Sequence, residues 1–152
     1  MNLPAPWRPV IADTSAVLAG YDTTDKNYKK ARTVLDDAPV LVMSPLVLAE
    51  LDHLCRERLG YPATMAMLDE LQHKMTQKRL VVPELTSLDI KRAQEVRKAY
   101  AGLKLDLADA TTVVLSGNWQ SMYIFTLDER DFRSMRPPGQ PGGYFTLLPA
   151  DM

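Results

Sequence analysis

Short apolar runs alternate with stretches of helical periodicity along most of the chain. Five apolar runs, each set off by proline, glycine or polar residues, predict β-strands. They cover residues 10–12, 40–43, 80–82, 122–127 and 144–148. Helical patterns fill the intervals between them. This alternation is typical of an α/β domain with a mostly parallel, about five-stranded sheet.

Two of the predicted helices carry clear start signals. Ser44 followed by Pro45 predicts an N-cap with proline in the first helical turn, and Gly60 predicts the end of that helix. Thr86 and Asp89 have the spacing of a capping box in which Asp replaces Glu. We therefore expect a helix to begin near residue 87 and to run towards residue 100.

The remaining helical patterns are less sharply bounded. Residues 25–37 and 63–78 each place apolar side chains on one face, and a last helix is expected over about residues 105–116, ending at Gly117. Thr14 and Ser15 are expected to form a polar turn after the first strand.

The length of 152 residues fits one domain. We expect an extended N-terminal arm over residues 1–9 and a single domain over residues 10–152. The sequence contains no run of about 18 apolar residues, so no membrane span is expected. Its single cysteine, Cys55, cannot form an internal disulfide, which is typical of a reducing compartment, and we expect a cytoplasmic protein.

The charge balance narrows the possible functions. Eighteen Lys and Arg residues oppose 19 Asp and Glu residues, for a formal net charge of −1. This balance argues against a protein that holds nucleic acid through bulk positive charge. It is compatible with an enzyme that cuts nucleic acid at a site rich in carboxylates.

Carboxylates follow two of the predicted strands. Asp13 comes directly after the first strand and Asp128 after the fourth. In an open parallel sheet, ligands bind outside the carboxyl ends of the strands, where the strand order reverses. If these two strands are neighbours, both acids point into the same crevice.

Two predicted helices supply further acids. Glu50 lies in the second turn of the helix that follows Ser44, at the border of its buried face. Asp106 and Asp109 are three residues apart at the start of the last predicted helix and hence on one face. Each acid taken singly also fits an ordinary cap or turn.

Converging carboxylates repel one another unless a cation neutralises them. A hard divalent cation such as Mg²⁺ prefers carboxylate oxygens and keeps several waters. Such a site attracts phosphate and activates a water for attack on phosphorus. The residues therefore predict metal-dependent hydrolysis of phosphodiesters.

Four segments, in this order, resemble the motifs of the PIN domain family. They read Ile-Ala-Asp-Thr-Ser-Ala at 11–16, Ser-Pro-Leu-Val-Leu-Ala-Glu-Leu at 44–51, Leu-Ala-Asp-Ala-Thr-Thr-Val-Val at 107–114 and Phe-Thr-Leu-Asp-Glu-Arg-Asp-Phe at 125–132. The resemblance spans roughly residues 10–148. At this length it is strongest to the VapC toxins of bacterial type II toxin–antitoxin systems.

The resemblance implies a fold, an activity and partners. The fold is a three-layer α/β/α PIN-like arrangement around a parallel sheet. The activity is that of an endoribonuclease dependent on Mg²⁺, with Mn²⁺ as a substitute. The implied partners are an RNA substrate, a second copy in a homodimer, and a VapB-like antitoxin whose C-terminal segment blocks the active-site groove.

The resemblance also implies roles for individual residues. The acidic quartet that holds the metal corresponds to Asp13, Glu50, Asp109 and Asp128, with Asp13 and Asp109 as direct ligands. Either Ser15 or Thr14 matches the hydroxyl that supports the first Asp. Thr126 and Asp131 match positions near the fourth acid. Two roles are open for Asp106: it contacts the metal through a water, or it is itself part of the metal site.

Basic residues have two interpretations each. Arg130 and Arg133 lie close to Asp128 in the sequence and are candidate substrate contacts. Lys26, Lys29, Lys30 and Arg32 form a cluster without an internal acid. The cluster is either a solvated helix face or a surface that contacts RNA phosphates or a partner.

Rival functions fit the sequence less well. The main alternative is a catalytically inert PIN-like module that binds RNA or protein. A phosphatase of the haloacid dehalogenase type would need Asp-x-Asp after the first strand, where this chain has Asp13-Thr14-Ser15. Glu50 and His53 have a di-iron ligand spacing, but only one copy is present in an α/β pattern.

Overall fold

A single parallel sheet organises the chain. In the computed structural model, which describes residues 9–152, five strands pair in the order β3-β2-β1-β4-β5, and all pairs are parallel. The arm predicted for residues 1–9 lies, apart from Pro9, outside the described residues. The strands are β1 (Val10–Ala12), β2 (Leu41–Met43), β3 (Leu80–Val81), β4 (Tyr123–Phe125) and β5 (Thr146–Leu148).

The order of the strands creates a crevice at the centre of the sheet. The chain moves outwards from β1 to β2 and β3, and then returns to place β4 on the other side of β1. The strand order reverses between β1 and β4, where Ile11 pairs with Ile124 and Ala12 with Phe125. The two strands predicted to end in carboxylates are therefore neighbours, and their carboxyl ends share the crevice.

Helices cover both faces of the sheet. The sheet strands alternate their side chains, so that Ala12 and Phe125 face one core whereas Ile11 and Ile124 face the other. The first core packs against α1–α4 and the second against α5–α7, which confirms the predicted α/β/α arrangement. The helices are α1 (Thr14–Ala19), α2 (Tyr28–Asp37), α3 (Pro45–Leu59), α4 (Tyr61–Thr76), α5 (Ser87–Ala99), α6 (Leu107–Asn118) and α7 (Glu129–Ser134).

The helix signals read from the sequence are confirmed where capping chemistry defined them. The Ser44 side chain accepts a hydrogen bond from the Leu46 amide at the start of α3. Gly60, with φ of 92°, ends α3 in a backbone conformation that glycine tolerates best. Thr86 and Asp89 exchange both bonds of a capping box at the start of α5.

Two local expectations were wrong, and one helix was not predicted. The expected turn at Thr14 and Ser15 is the start of α1, a short helix held by burial of its apolar residues. Gly117 does not end α6 but lies inside it. A side chain there would collide with Pro138, since a Cβ at Gly117 would lie 3.0 Å from the Pro138 Cβ. The segment after Asp128 forms the unexpected helix α7.

None of the helices in residues 9–152 combines the length and the apolar character needed to cross a bilayer.

Candidate active site

The first predicted acid lies at the bottom of the crevice. Asp13 directly follows β1, and its amide donates a hydrogen bond to the Phe125 carbonyl at the end of β4. It occupies the N-cap position of α1, but its side chain makes no capping bond there. The carboxylate is almost fully buried, with 4% of the residue exposed. The backbone thus fixes Asp13 between two strand ends and leaves its carboxylate available for chemistry.

Two hydroxyls hold one oxygen of the Asp13 carboxylate. Thr126 donates to Oδ2 at 2.7 Å and Ser15 donates to the same oxygen at 3.2 Å. Each hydroxyl oxygen also accepts an amide bond, from Asp128 for Thr126 and from Leu127 for Ser15. Because these bonds connect α1 with the segment after β4, they fix the orientation of Asp13 relative to Asp128.

The structure distinguishes between the two hydroxyls proposed to support Asp13. Ser15 contacts its carboxylate, whereas the buried Thr14 hydroxyl has no hydrogen-bond partner among the described residues. Ser15 is therefore the supporting hydroxyl, together with Thr126.

Two further acids approach Asp13. Asp109 lies in the first turn of α6, where its amide donates to Oδ1 of Asp106, the N-cap residue, at 2.8 Å. Asp128 is the N-cap of α7 and accepts from the Asp131 amide at 3.0 Å. Asp106 and Asp128 thus both cap helices through one carboxylate oxygen. Their capping bonds set the positions of Asp109 and Asp131.

Burial, reinforced by repulsion between neighbouring carboxylates, dominates the electrostatics of this cluster. Burial raises the pKa of Asp13 to about 6, with a further rise from Asp128, although the bonds from Thr126, the Thr14 backbone and Ser15 oppose the shift. Burial and the charges of Asp13, Asp106 and Asp128 raise the pKa of Asp109 to about 8. Asp13, Asp109 and Asp128 are therefore close enough to interact strongly.

The pKa of Asp131 is raised less strongly than the pKa values of Asp13 and Asp109. Desolvation and the neighbouring charge of Asp128 raise its pKa, and Arg130 opposes the rise. Asp131 is half-buried at the start of α7. Its main structural contact is the amide bond to Asp128, so it belongs to the periphery of the cluster.

Glu50 lies on a separate helix, α3. It is half-buried in the second turn of α3. A buried contact of 2.9 Å between the hydroxyls of Ser44 and Thr111 joins the start of α3 to α6, the helix that carries Asp109. In the described part of the chain, no hydrogen bond or ion pair engages the Glu50 carboxylate. The structure therefore places it on a helix adjoining the cluster but does not fix its side chain there.

The cluster has the donor chemistry of a site for a hard cation. No Lys or Arg of residues 9–152 forms an ion pair with Asp13, Asp109 or Asp128. Within the same residues, no group of three or more Asp, Glu, His or Cys side chains has the arrangement of a metal site. One or two carboxylates with several waters is the usual protein environment of Mg²⁺. The uncompensated repulsion around Asp109 thus fits a divalent cation held by few protein ligands.

The two candidate arginines differ in their environment. Arg133 does not face the crevice freely, because its guanidinium binds Glu129 and Asp151, each at 2.8 Å. This pairing was not foreseen, since Asp151 is distant in the sequence and no local pattern connects the two. Arg130 is exposed on α7 and remains available for a substrate contact.

A cavity lies at a different place in the fold from the carboxylate crevice. It has a volume of about 700 Å³ and lies between α5, α6 and residues 136–141. None of the four predicted site acids lines it. We therefore assign the chemistry to the carboxylate crevice, where the charge interactions are concentrated.

Replacement of Thr126 tests the hydroxyl support of Asp13. We expect Thr126→Val to lower the free energy of unfolding at pH 8 by about 2 kcal/mol, because a buried carboxylate and an amide each lose a partner. Chemical denaturation measures this loss. Thr126→Ser retains the hydroxyl and should recover most of the stability. Equal stabilities of the Val and Ser variants would contradict the proposed support.

Comparison with known proteins agrees with the fold. The family model for the PIN domain matches residues 10–136. Ribonuclease VapC26 of Mycobacterium tuberculosis is 36% identical over 141 residues, covering 92% of this chain and 100% of that protein. The crystal structure of M. tuberculosis VapC20, described as a Sarcin-Ricin loop cleaving toxin, superposes with a TM-score of 0.69 at 20% identity, over 80% of this chain and 91% of the other.

Proposed function

Because this chain belongs to the PIN domain family, we propose that it is a Mg²⁺-dependent endoribonuclease and the toxin of a VapBC-type toxin–antitoxin pair. The observation that best supports the activity is the convergence of Asp13, Asp109 and Asp128 at the carboxyl ends of β1 and β4. The similarity to a ribonuclease over nearly the whole chain supports RNA as the substrate class.

The residues of the crevice have distinct proposed roles. Asp13 and Asp109 hold the cation, and Thr126 and Ser15 keep the Asp13 carboxylate in one orientation. A Mg²⁺ ion held by these carboxylates would supply Lewis-acid chemistry, that is, activation of a water and stabilisation of negative charge on phosphate oxygens. Asp128 adds negative charge that favours the cation, and Glu50 is suited to orient a water from α3. Mn²⁺ should substitute, because it also prefers carboxylate and water ligands.

The toxin assignment includes partners. We propose a VapB-like antitoxin that covers the carboxylate crevice, a homodimeric state and a cytoplasmic location. The relationship to a ribonuclease of the VapC type supports these proposals. A small reading frame for a DNA-binding protein immediately upstream of the gene would support the toxin assignment. Co-purification with that product would test the partnership directly.

The activity is tested by RNA cleavage with purified protein. We expect cleavage of cellular RNA with Mg²⁺ or Mn²⁺, none in EDTA, and recovery when the metal is restored. RNA ends sequenced after cleavage identify the target. Calorimetry separates the enzyme from an inert RNA- or protein-binding module, because an enzyme of this type binds Mn²⁺ in the crevice. Absence of both Mn²⁺ binding and cleavage would favour the inert module.

A further inference from the structure

A small basic cavity adjoins the carboxylate crevice. It has a volume of about 310 Å³ and is lined by Lys26, Asn27 and Lys30 on one side and by Thr126 and Glu129 on the other, with Pro149 and Ala150 closing it. Thr126 is also the residue that donates to Asp13. The cavity and the proposed site of cleavage therefore share Thr126.

The two lysines carry positive charge that the protein does not neutralise. Neither Lys26 nor Lys30 forms an ion pair within residues 9–152. Their neighbour Arg32 differs, because it is bound by Asp36 and Glu70. The basic cluster identified in the sequence therefore divides into a structural arginine and lysines with free ammonium groups.

The acids near the cavity are already engaged. Glu129 accepts from Arg133 at 2.8 Å and shares that guanidinium with Asp151. Asp22 accepts from the amide and hydroxyl of Thr24, and Asp25 accepts from the Asn27 amide. The bonds accepted by Asp22 and Asp25 order the loop that carries Lys26, and they direct both carboxylates towards nearby groups of that loop. The charged residues that line the cavity are two lysines and one glutamate, so its lining carries a net positive charge.

The opposite wall is fixed by a second set of bonds. Arg133 binds Asp151, and Asp151 accepts from the Leu147 amide at 2.8 Å. The Thr126 amide donates to the Leu148 carbonyl at 2.9 Å. Pro149 and Ala150 are therefore held beside the end of β4, and both walls of the cavity are ordered before any ligand binds.

We propose that this cavity binds a backbone phosphate of single-stranded RNA, next to the phosphate that is cleaved in the carboxylate crevice. The inference rests on the proposed function for the identity of the polymer. A positive cavity beside an acidic, cation-binding crevice lets a polyanion enter along the lysines and reach the cation. Lys26 and Lys30 are binding residues in this assignment and take no part in bond cleavage.

The test measures RNA binding in EDTA, where cleavage does not interfere. The probe is a fluorescein-labelled single-stranded RNA of mixed sequence, titrated at several salt concentrations. Each lost phosphate contact to single-stranded nucleic acid reduces the salt dependence of log K by about 0.7. The double variant Lys26→Ala/Lys30→Ala should therefore show a slope shallower by about 1.4 and binding about 25-fold weaker at 0.1 M salt.

The matched control compares two single substitutions on α2. Lys29→Ala and Lys30→Ala each remove one positive charge, but Lys29 does not line the cavity, so the binding and salt slope of Lys29→Ala should resemble those of the unmodified protein. Lys26→Arg/Lys30→Arg should retain the slope. An unchanged slope in the double alanine variant, or an equal effect of Lys29→Ala, would overturn the proposal.

Cleavage assays separate this proposal from the proposed function. With Mg²⁺, the double alanine variant should raise KM for RNA and leave kcat nearly unchanged. If the unmodified protein cleaves no RNA but its binding still depends on the two lysines, the phosphate site stands and the nuclease assignment fails. If cleavage occurs and the lysines affect only binding to the antitoxin, the nuclease assignment stands and the phosphate site is overturned.

Discussion

Asp13→Asn and Asp109→Asn should each lower Mg²⁺-dependent RNA cleavage by at least about 10³-fold, because each removes a charge from the proposed cation site. Both substitutions nearly preserve side-chain volume. In the Asp13→Asn variant, the amide oxygen can still accept the bonds that Thr126 and Ser15 donate to the carboxylate. The folded structure should therefore persist, and growth arrest caused by expression of the protein should be relieved.

The measurement is a time course of RNA cleavage with saturating Mg²⁺, accompanied by circular dichroism and thermal unfolding. Asp69→Asn is the matched control, since Asp69 is an exposed acid on α4, away from the crevice. It should cleave RNA at the unmodified rate. Full activity in either crevice variant would show that the carboxylates serve only as structural groups, and the nuclease assignment would lose its main support.

The second large effect is a loss of stability in metal-free protein as the pH rises. Burial raises the pKa of Asp13 from 3.8 to about 6, and burial with neighbouring acids raises that of Asp109 to about 8. The folded protein consequently retains protons that the unfolded chain has already released above about pH 4. The free energy of unfolding must then fall as the pH rises through these two pKa values.

The contributions of other carboxyl groups do not obscure this trend. Hydrogen bonds lower the pKa values of Asp22, Asp89 and Asp151, so those groups stabilise the folded state above their unfolded pKa near 4. Their contribution is complete by about pH 5. Between pH 5 and 7, ionisation of Asp13 alone should lower the free energy of unfolding by about 1 kcal/mol. Ionisation of Asp109 should extend this decrease towards pH 8.

Thermal unfolding in EDTA between pH 5 and 8.5 measures the decline. Asp109→Asn should flatten the pH profile and raise the Tm above that of the unmodified protein at pH 8.5, because it removes the repelled charge. Mn²⁺ at about 100 times its Kd should raise the Tm of the unmodified protein by roughly 5–10 °C at pH 8. It should have much less effect on the variant.

An unmodified protein with the same Tm from pH 5 to 8.5 would contradict the electrostatic account of the crevice. A decrease in Tm with pH that Mn²⁺ does not reverse would support the raised pKa values of the buried acids but argue against a cation site between them. The two measurements thus separate the repulsion of the carboxylates from their use in metal binding.

Several features of the fold could be predicted because their causes are local. The capping bonds of Ser44 and Thr86 involve residues within three positions, and the apolar strands are short uninterrupted runs. Predictions failed where tertiary packing outweighs local pattern. Gly117 is a typical helix stop in isolation, yet α6 ends one residue later, at Asn118, and the absence of a side chain at Gly117 leaves room for Pro138.

The candidate site shows the same division. The positions of Asp13 and Asp128 after apolar strands predicted acids at strand ends, and β1 and β4 are indeed neighbours. Sequence could not choose between Thr14 and Ser15, because the choice depends on which hydroxyl faces Asp13 and the segment after β4. It also could not foresee that Asp151 engages Arg133, a candidate substrate contact.

By itself, the sequence determined the α/β class, the main helix caps and the set of acids, since these follow from hydrophobic periodicity and bonds between near neighbours. The bond from Thr126 to Asp13, across 113 residues, and the cavity that Lys26 and Lys30 line beside them became visible in the folded protein. The physical reason is that such contacts depend on the strand order β3-β2-β1-β4-β5, which brings distant segments to one edge of the sheet.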